Sequence, residues 1–421
     1  MDFFDVMTLD EALKLIDDSV PGGIELETVL LNEAVDRIVG KPVYAPIDLP
    51  DFNRSTVDGY AVVAGDVQGA SEGMPSMMKV VGESVMGKQS NHVIHTGEAV
   101  YVPTGGEVPE GADGVVMIEY CERLDAQTIL VKHPIHHGEN MTFIGDDMRK
   151  GERLYRAGRK LSAYDVGLLA GLGVSELTVF RKLRAAVIST GDEIIAVDAP
   201  YCAGKIRDIN GNALVASLIR QGVTVTGHDL IGDDFEALKR AFDEALSVSD
   251  TVIFSGGSSV GAKDYTMKVI MSDQSSELLV HGLAIKPGKP TIIGKVDGKL
   301  IFGLPGHPSA ALLLYNLVVV PYFNALTGNR DMPFSVTATL ERRVHGAPGR
   351  DMFVMVSLKY DNALKGYIAY PIHAKSGMIS LLSKADGYIR LSRDEEGLLE
   401  GSNVTVHLLK NAHQLGEDTY E

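Results

Sequence analysis

The stretch Ser255 to Tyr265, SGGSSVGAKDY, follows the apolar run TVIF and combines glycines and hydroxyls with a lysine and an acid. Glycines let backbone N–H groups close on an anion, and Asp264 could bring a carboxylate, with or without a metal, to an oxyanion ligand. A nucleotide-gripping P-loop needs its second glycine followed directly by Lys and then Ser or Thr. Here Gly261 is followed by Ala262, Lys263 and Asp264, so the loop is not of that type. Three comparable loops read STGDEI at 189–194, IGDD at 231–234 and GLPGHPSA at 303–310. Acids in the first two, Asp192, Glu193, Asp233 and Asp234, join Asp264 as candidate ligands for Mg²⁺, which needs one or two carboxylates and fills its shell with water and phosphate oxygens. Taken singly, each acid reads as a solvated cap or turn residue; their convergence at one sheet edge favours the group. The segment GLAIKPGKPTIIGK adds Lys286 and Lys289, cations stiffened by Pro and Gly that could neutralise an oxyanion, although a lone lysine in a turn is usually idle. FNRSTVDGYAV, at 52–62, sets an Arg, two hydroxyls and Asp58 before a glycine; on its own it could equally be an Asp-Gly turn.

The elements that hold these loops follow from periodicity. Thr8 and Glu11 form a capping box ahead of Leu9, Ala12, Leu13 and Ile16 at helical spacing. Short β-rich runs broken by Gly and Pro occupy 46–145 and predict a β-domain inserted between helical or linking segments at 1–45 and 146–180. From 181 to 327 strands alternate with helices: RAAVIST, NGNALVASLIRQG, VTVTGHDLI, DFEALKRAFDEALS, DTVIF, then KLIFG and the helix after GLPGHPSA. That alternation predicts a doubly wound, mainly parallel sheet, whose ligands bind at the carboxyl ends of the strands, where the acidic loops lie. Residues 328–421 return to short strands and predict a small barrel. The fold class is thus multi-domain α/β plus β.

Composition narrows the partners. At 421 residues the chain calls for two to four domains. A formal net charge of −17 argues against general binding to nucleic acid or to an anionic membrane, and requires a local cation cluster for any anionic ligand. The two cysteines, Cys121 and Cys202, have no metal-ligand spacing and read as small hydrophobes. The acidic start MDFFDVMTLDEAL is unlike a signal peptide, and no apolar run is read as reaching the roughly 18 residues of a membrane span, so a cytoplasmic location is expected.

In order along the chain, RSTVDGYAV, VPTGGEVPEGADGVVMIE, GDDMRKGE, STGDEI, GKIRDIN, SGGSSVGAKDY, IKPGKP and GLPGHPSA together resemble the MoeA and gephyrin E-domain family, the molybdopterin molybdenumtransferases. The resemblance spans essentially the whole chain. It departs at His307, where many members have Asn, and at Ser258, where many have Val. It implies an α/β domain of molybdopterin-binding type that accepts adenylylated molybdopterin, hydrolyses the adenylate with Mg²⁺, and inserts molybdate at the pterin dithiolene to give molybdenum cofactor. Molybdate and tungstate, tetrahedral oxyanions of similar size, both suit that description. By the same resemblance Asp58, Asp147, Glu193, Asp264 and Lys286 are catalytic, and Glu193, Asp233 and Asp264 hold the metal. Thr104, Ser255, Gly256, Gly257, Ser258, Gly261, Lys289, Pro305, Gly306, Pro308, Arg350 and Ser376 line the substrate. The loop at 255–265 is expected to cradle the pterin phosphate or pyrophosphate. The family's cleft is completed by the second subunit of a homodimer, with the molybdopterin adenylyltransferase and apo-molybdoenzymes as further partners. An adenylyltransferase-like enzyme or nucleotide pyrophosphatase would share the sheet motifs but lack the inserted β-domain and the carboxy-terminal β-region. A non-enzymatic scaffold of the gephyrin kind would need a peptide groove.

Overall fold

Strands buried along nearly their whole length need cover on both faces, and the amphipathic helices between them supply it. The computed structural model describes residues 6–20, 23–257, 265–330, 334–372 and 380–409. Ser258, Gly261, Asp264 and Ser376 therefore lie outside the described residues. Helix α1 (Leu9–Asp18) starts at the expected capping box, with Glu11 N–H donating to Thr8 Oγ1 at 3.2 Å and Thr8 N–H donating to Glu11 at 2.9 Å.

The α/β domain contains β1 (Arg184–Thr190), α2 (Ile209–Arg220), β2 (Thr224–Ile231), α3 (Phe235–Val248), β3 (Thr251–Ser255), β4 (Glu277–His281), β5 (Ile285–Lys286), β6 (Ile292–Val296), β7 (Lys299–Leu304) and α4 (Pro308–Thr327). Its six-stranded sheet runs β2-β1-β3-β7-β6-β4. The first four strands are parallel, as the alternation predicts, and β6 and β4 extend them as an antiparallel pair that the sequence reading did not resolve. Alternate residues of β1 serve opposite faces: Ala185 and Val187 pack with Leu214 and Leu218 of α2 and with α4, while Ala186 and Ile188 pack with Leu238 and Phe242 of α3. Apolar area removed from water on both faces, at about 25 cal/mol per Å², is the main favourable contribution to this domain.

Helix α4 corrects one expectation. It is 20 residues long with a mean hydropathy of 1.5, enough by length and composition to cross a membrane, although no such run was read from the sequence. Here it is a core helix: Ala311, Leu314, Val318, Tyr322 and Leu326 are buried against the sheet, and a π turn at Tyr315–Val319 interrupts it. Helix α1 also buries Leu9, Ala12 and Ile16 in this core, a division that reading 1–45 as one unit with 146–180 does not make. What joins the latter segments is Leu26–Leu30 paired antiparallel with Glu176–Phe180, and Val43–Tyr44 paired with Arg153–Tyr155.

Between those pairings the chain makes a six-stranded sheet confined to residues 59–131. Its strand Gly59–Val62 is flanked by Glu98–Val102 and Gly114–Met117, and a Cβ at Gly59 would lie 2.0 Å from the Val116 carbonyl oxygen, so the strand fits only with glycine there. The carboxy-terminal strands β8 (Ser335–Leu340), β9 (Asp351–Asp361), β10 (Gly366–Pro371), β11 (Gly387–Leu391) and β12 (Asn403–Leu408) close in the order β9-β10-β8-β12-β11 and back to β9. Closure leaves this barrel no free edge. The short β5 of the α/β domain runs parallel to the start of β9 and so ties the barrel to the domain before it.

Arg181 fastens the linking segment to the α/β domain. Its guanidinium donates two 2.7 Å hydrogen bonds to the Asp250 carboxylate and one of 2.8 Å to Glu25. Burial works against the charge on Asp250, but hydrogen bonds from Arg181 and from Arg184 N–H, with the charges of both arginines, outweigh it and hold the carboxyl below its usual value. Removing one partner of such a pair strands the other, so Asp250→Asn should lower stability by roughly 3 kcal/mol near neutral pH. Because the folded value is depressed, the stability Asp250 adds is complete above the ordinary carboxyl value of about 4 and fades as pH falls through the lower folded value. Urea unfolding of both proteins across that range should show the gap narrowing in acid.

Candidate active site

Three sets of predicted site residues fall in three places. The first is the carboxyl edge of the parallel sheet. Strands β1, β3 and β7 end side by side at Thr190, Ser255 and Leu304. Gly256, at φ +100°, donates its N–H to the Leu304 carbonyl at 3.1 Å, and a Cβ there would stand 2.5 Å from the Thr190 carbonyl oxygen. The strand ends therefore meet through bare backbone, leaving Gly256, Gly257, Pro305 and Gly306 as a rim without bulky side chains. Ser255 is buried beneath it. Pro308 occupies the first turn of α4, where its missing N–H costs nothing, and His307 caps the helix without a side-chain bond.

Acids border this rim. The Asp233 N–H donates to Asp192 Oδ1 at 3.0 Å and Thr190 Oγ1 donates to Asp233 at 3.4 Å, which gathers the ends of β1 and β2. Glu193 is exposed in the same turn; its carbonyl accepts from Ile206 N–H at 2.8 Å, and Lys205 Nζ donates to the Asp192 carbonyl, folding 196–205 back over the strand end. Asp234 turns away from this group: it caps α3 through a 2.7 Å bond from Ala237 N–H. No group of three or more His, Cys, Asp or Glu is close enough to hold a metal among the described residues. Glu193 and Asp233, the carboxylates at this edge, are of the hard-oxygen kind that Mg²⁺ takes, one or two at a time, with water and phosphate oxygens filling the rest of its octahedron.

Asn210, which the sequence reading did not single out as a site residue, belongs to this edge. It is 7% exposed, its amide donates to the Gly306 carbonyl at 2.9 Å, and its Oδ1 is buried without a partner. The neighbouring Asp208 caps α2 through Gly211 N–H at 2.8 Å and meets His228 at 2.9 Å. Burial opposes the Asp208 charge, yet the His228 and Gly211 hydrogen bonds prevail and hold its carboxyl below the usual value. An Asp before a helix start is visible in a sequence; that Asn210 reaches a loop 96 residues on is not.

The second place is the inserted domain and the start of the linking segment that follows it. Asp58 Oδ1 accepts from Thr104 N–H at 2.7 Å and from Thr104 Oγ1 at 3.1 Å, so the structure pairs these two predicted residues at the head of the Gly59 strand. Asp147 is exposed, with its N–H on the Leu49 carbonyl at 3.0 Å. No hydrogen bond or ion pair connects Asp58, Thr104 or Asp147 to the strand-end acids among the described residues.

The third place is the junction with the barrel. Lys286 on β5 stands opposite Met352 at the start of β9, beside exposed Arg350. The following turn is fixed by Leu283 and Thr291 N–H groups, both 2.9 Å from the Lys289 carbonyl, and by Gly288 packed on Leu314 of α4. Lys286 and Lys289 are exposed on this rigid segment.

Comparison with known proteins follows the same domain order. Residues 7–173 match the MoeA N-terminal region (domain I and II), 186–325 a probable molybdopterin binding domain, and 337–409 the MoeA C-terminal region (domain IV). A molybdopterin molybdenumtransferase of Haemophilus influenzae is 32% identical over 414 residues, covering 96% of this chain and all of that protein. One from Staphylococcus epidermidis is 30% identical over 408 residues, covering 96% of each. Among solved structures, a molybdopterin biosynthesis MoeA protein of Pyrococcus horikoshii superposes with a TM-score of 0.84 at 37% identity, over 97% of this chain and 100% of that one. With its three regions matched in sequence and its length covered end to end, the chain belongs to the MoeA family.

Proposed function

We propose that this protein is a molybdopterin molybdenumtransferase of molybdenum cofactor biosynthesis, hydrolysing adenylylated molybdopterin and placing molybdate on the dithiolene. The observation that carries this reading is the glycine rim where β1, β3 and β7 end, bordered by Glu193 and Asp233. Backbone without side chains approaches a phosphoanhydride closely and offers N–H groups to it. Glu193 and Asp233, with Asp264, would hold Mg²⁺, which supplies Lewis acidity at the phosphate oxygens. Water adds at phosphorus, the anhydride P–O bond breaks, and AMP leaves. Molybdate then bonds the two dithiolene sulfurs through molybdenum and loses one oxo ligand as water, the two thiol protons going to that oxygen, with no change in oxidation state.

Lys286, Lys289 and Arg350 serve the second half of the reaction. In a chain of net charge −17 a dianion is repelled unless fixed cations focus the field locally, and the Pro-Gly turn holds two of them in place. Asp58, Thr104 and Asp147 belong to the other end of the cleft. They sit on elements other than the parallel sheet, and the second subunit of a homodimer brings its own set to each edge. The cytoplasm, where the adenylyltransferase would supply the substrate and apo-molybdoenzymes would take the product, is the proposed setting.

Three measurements test this reading. Glu193→Ala should cut AMP release from adenylylated molybdopterin by about a hundredfold or more, while unfolding free energy stays within about 0.5 kcal/mol of the parent because the side chain is exposed. Loss of the fold, or wild-type turnover, would remove Glu193 from the site. Lys286→Gln should raise the molybdate concentration for half-maximal insertion about tenfold, the equivalent of about 1.4 kcal/mol, with AMP release in the absence of molybdate little changed. The opposite pattern would assign this lysine to the phosphate. Light scattering at micromolar concentration should report a species of twice the 45.3 kDa chain mass, and a purely monomeric sample would contradict the shared cleft.

A further inference from the structure

Resting on the oxyanion role given to Lys286 and Arg350, we propose that Asp351 and Arg390 are positioning residues, a clamp that sets these two cations across the boundary between the α/β domain and the barrel. Strand β5 is only two residues long, and the strand it pairs with is β9, at Ile285 with Asp351 and Lys286 with Met352. So short a strand contributes few bonds of its own, and where Lys286 points depends on what fixes the start of β9. Asp351, 6% exposed, does that fixing. Its N–H donates to the Ala284 carbonyl at 2.9 Å, and its carboxylate accepts from Arg390 Nε at 3.0 Å, a terminal Arg390 nitrogen at 2.5 Å and Arg393 N–H at 3.0 Å. Three donors on one carboxylate leave the side chain a single orientation.

Arg390 passes the constraint on. The same guanidinium reaches both Asp10 oxygens on α1 at 3.2 Å, and the amino-terminal segment grips β5 from its other end, with Ala284 N–H on the Met7 carbonyl at 2.7 Å and Met7 N–H on the Gly282 carbonyl at 3.3 Å. Lys286 therefore lies on a strand held by the amino-terminal segment on one side and the barrel on the other. Arg350 directly precedes Asp351, so the bonds that fix Asp351 also fix the point from which Arg350 leaves the chain.

Charge and geometry make opposite predictions here. Asp351 is an anion close to the cation pair, so removing its charge should by Coulomb's law strengthen oxyanion binding. If Asp351 acts by placing Arg350 and β5, removing its charge loosens the Arg390 bonds and weakens binding instead. The experiment is calorimetric titration of the full-length protein with sodium molybdate, comparing the parent with Asp351→Asn, Asp10→Asn and Lys286→Gln, with thermal unfolding measured for each. The clamp predicts that Asp351→Asn raises the molybdate Kd about tenfold and Asp10→Asn two- to threefold, while both release AMP without molybdate within twofold of the parent. An Asp351→Asn variant that binds molybdate as tightly as the parent or more tightly, beside a weakened Lys286→Gln, overturns the clamp and spares the oxyanion site. A Lys286→Gln variant that binds normally overturns the site and the clamp with it. If Asp351→Asn does not fold, Asp10→Asn decides, since it alters an exposed side chain: weaker binding supports the clamp and unchanged binding refutes it.

Discussion

The Thr190 carbonyl oxygen sits 2.5 Å from where a Cβ of residue 256 would be, and that close approach governs the rest of the molecule. The parallel strands β1, β3 and β7 must end at the same height, with no side chain between them, for a phosphate to meet backbone N–H groups there. The sheet achieves this by burying every residue of β3 and all but the first of β1. Helices on both faces then fix the strand ends to within the tolerance of a packed core, which yields little to small changes in volume.

Around that edge the other domains act as carriers. The inserted sheet carries Asp58 and Thr104 on its own hydrophobic core, independent of the α/β packing, and the barrel carries Arg350. Arginines bonded to acids of two elements fasten the joints around the α/β domain: Arg181, between Glu25 and Asp250, ties it to the linking segment from which the inserted sheet emerges, and Arg390, between Asp10 and Asp351, ties the barrel to α1. Bidentate guanidinium contacts fix angle as well as distance, which a lysine in the same place would not do.

Much of this was legible in the sequence wherever the signal is local. The Thr8–Glu11 box, the strand–helix alternation from Arg184 and the run of strands after Gly328 are all periodic or contiguous. The antiparallel pair β4 and β6 was missed because LLVH and TIIGKV are short apolar runs interrupted by the lysine turn, and five residues of either type do not declare a strand direction. The membrane-length character of α4 was overlooked because its asparagines and tyrosines break the apolar run without making it polar on average. Site residues divide in the same way. Loops at strand ends follow from topology, whereas the bond from Thr104 to Asp58 spans 46 residues and the one from Arg390 to Asp351 spans 39, and neither register is written locally.

The pairing of Leu26–Leu30 with Glu176–Phe180 has a consequence for how the chain is made. A strand completed early in synthesis has no partner until the whole inserted sheet has left the ribosome. Closing so long a loop costs little extra free energy, since the entropy grows only with the logarithm of length, and a domain that folds first draws the two ends together. The inserted sheet is thus the tether that shortens the search, and a nascent chain stalled before Glu176 would expose an unpaired edge for aggregation or chaperone capture.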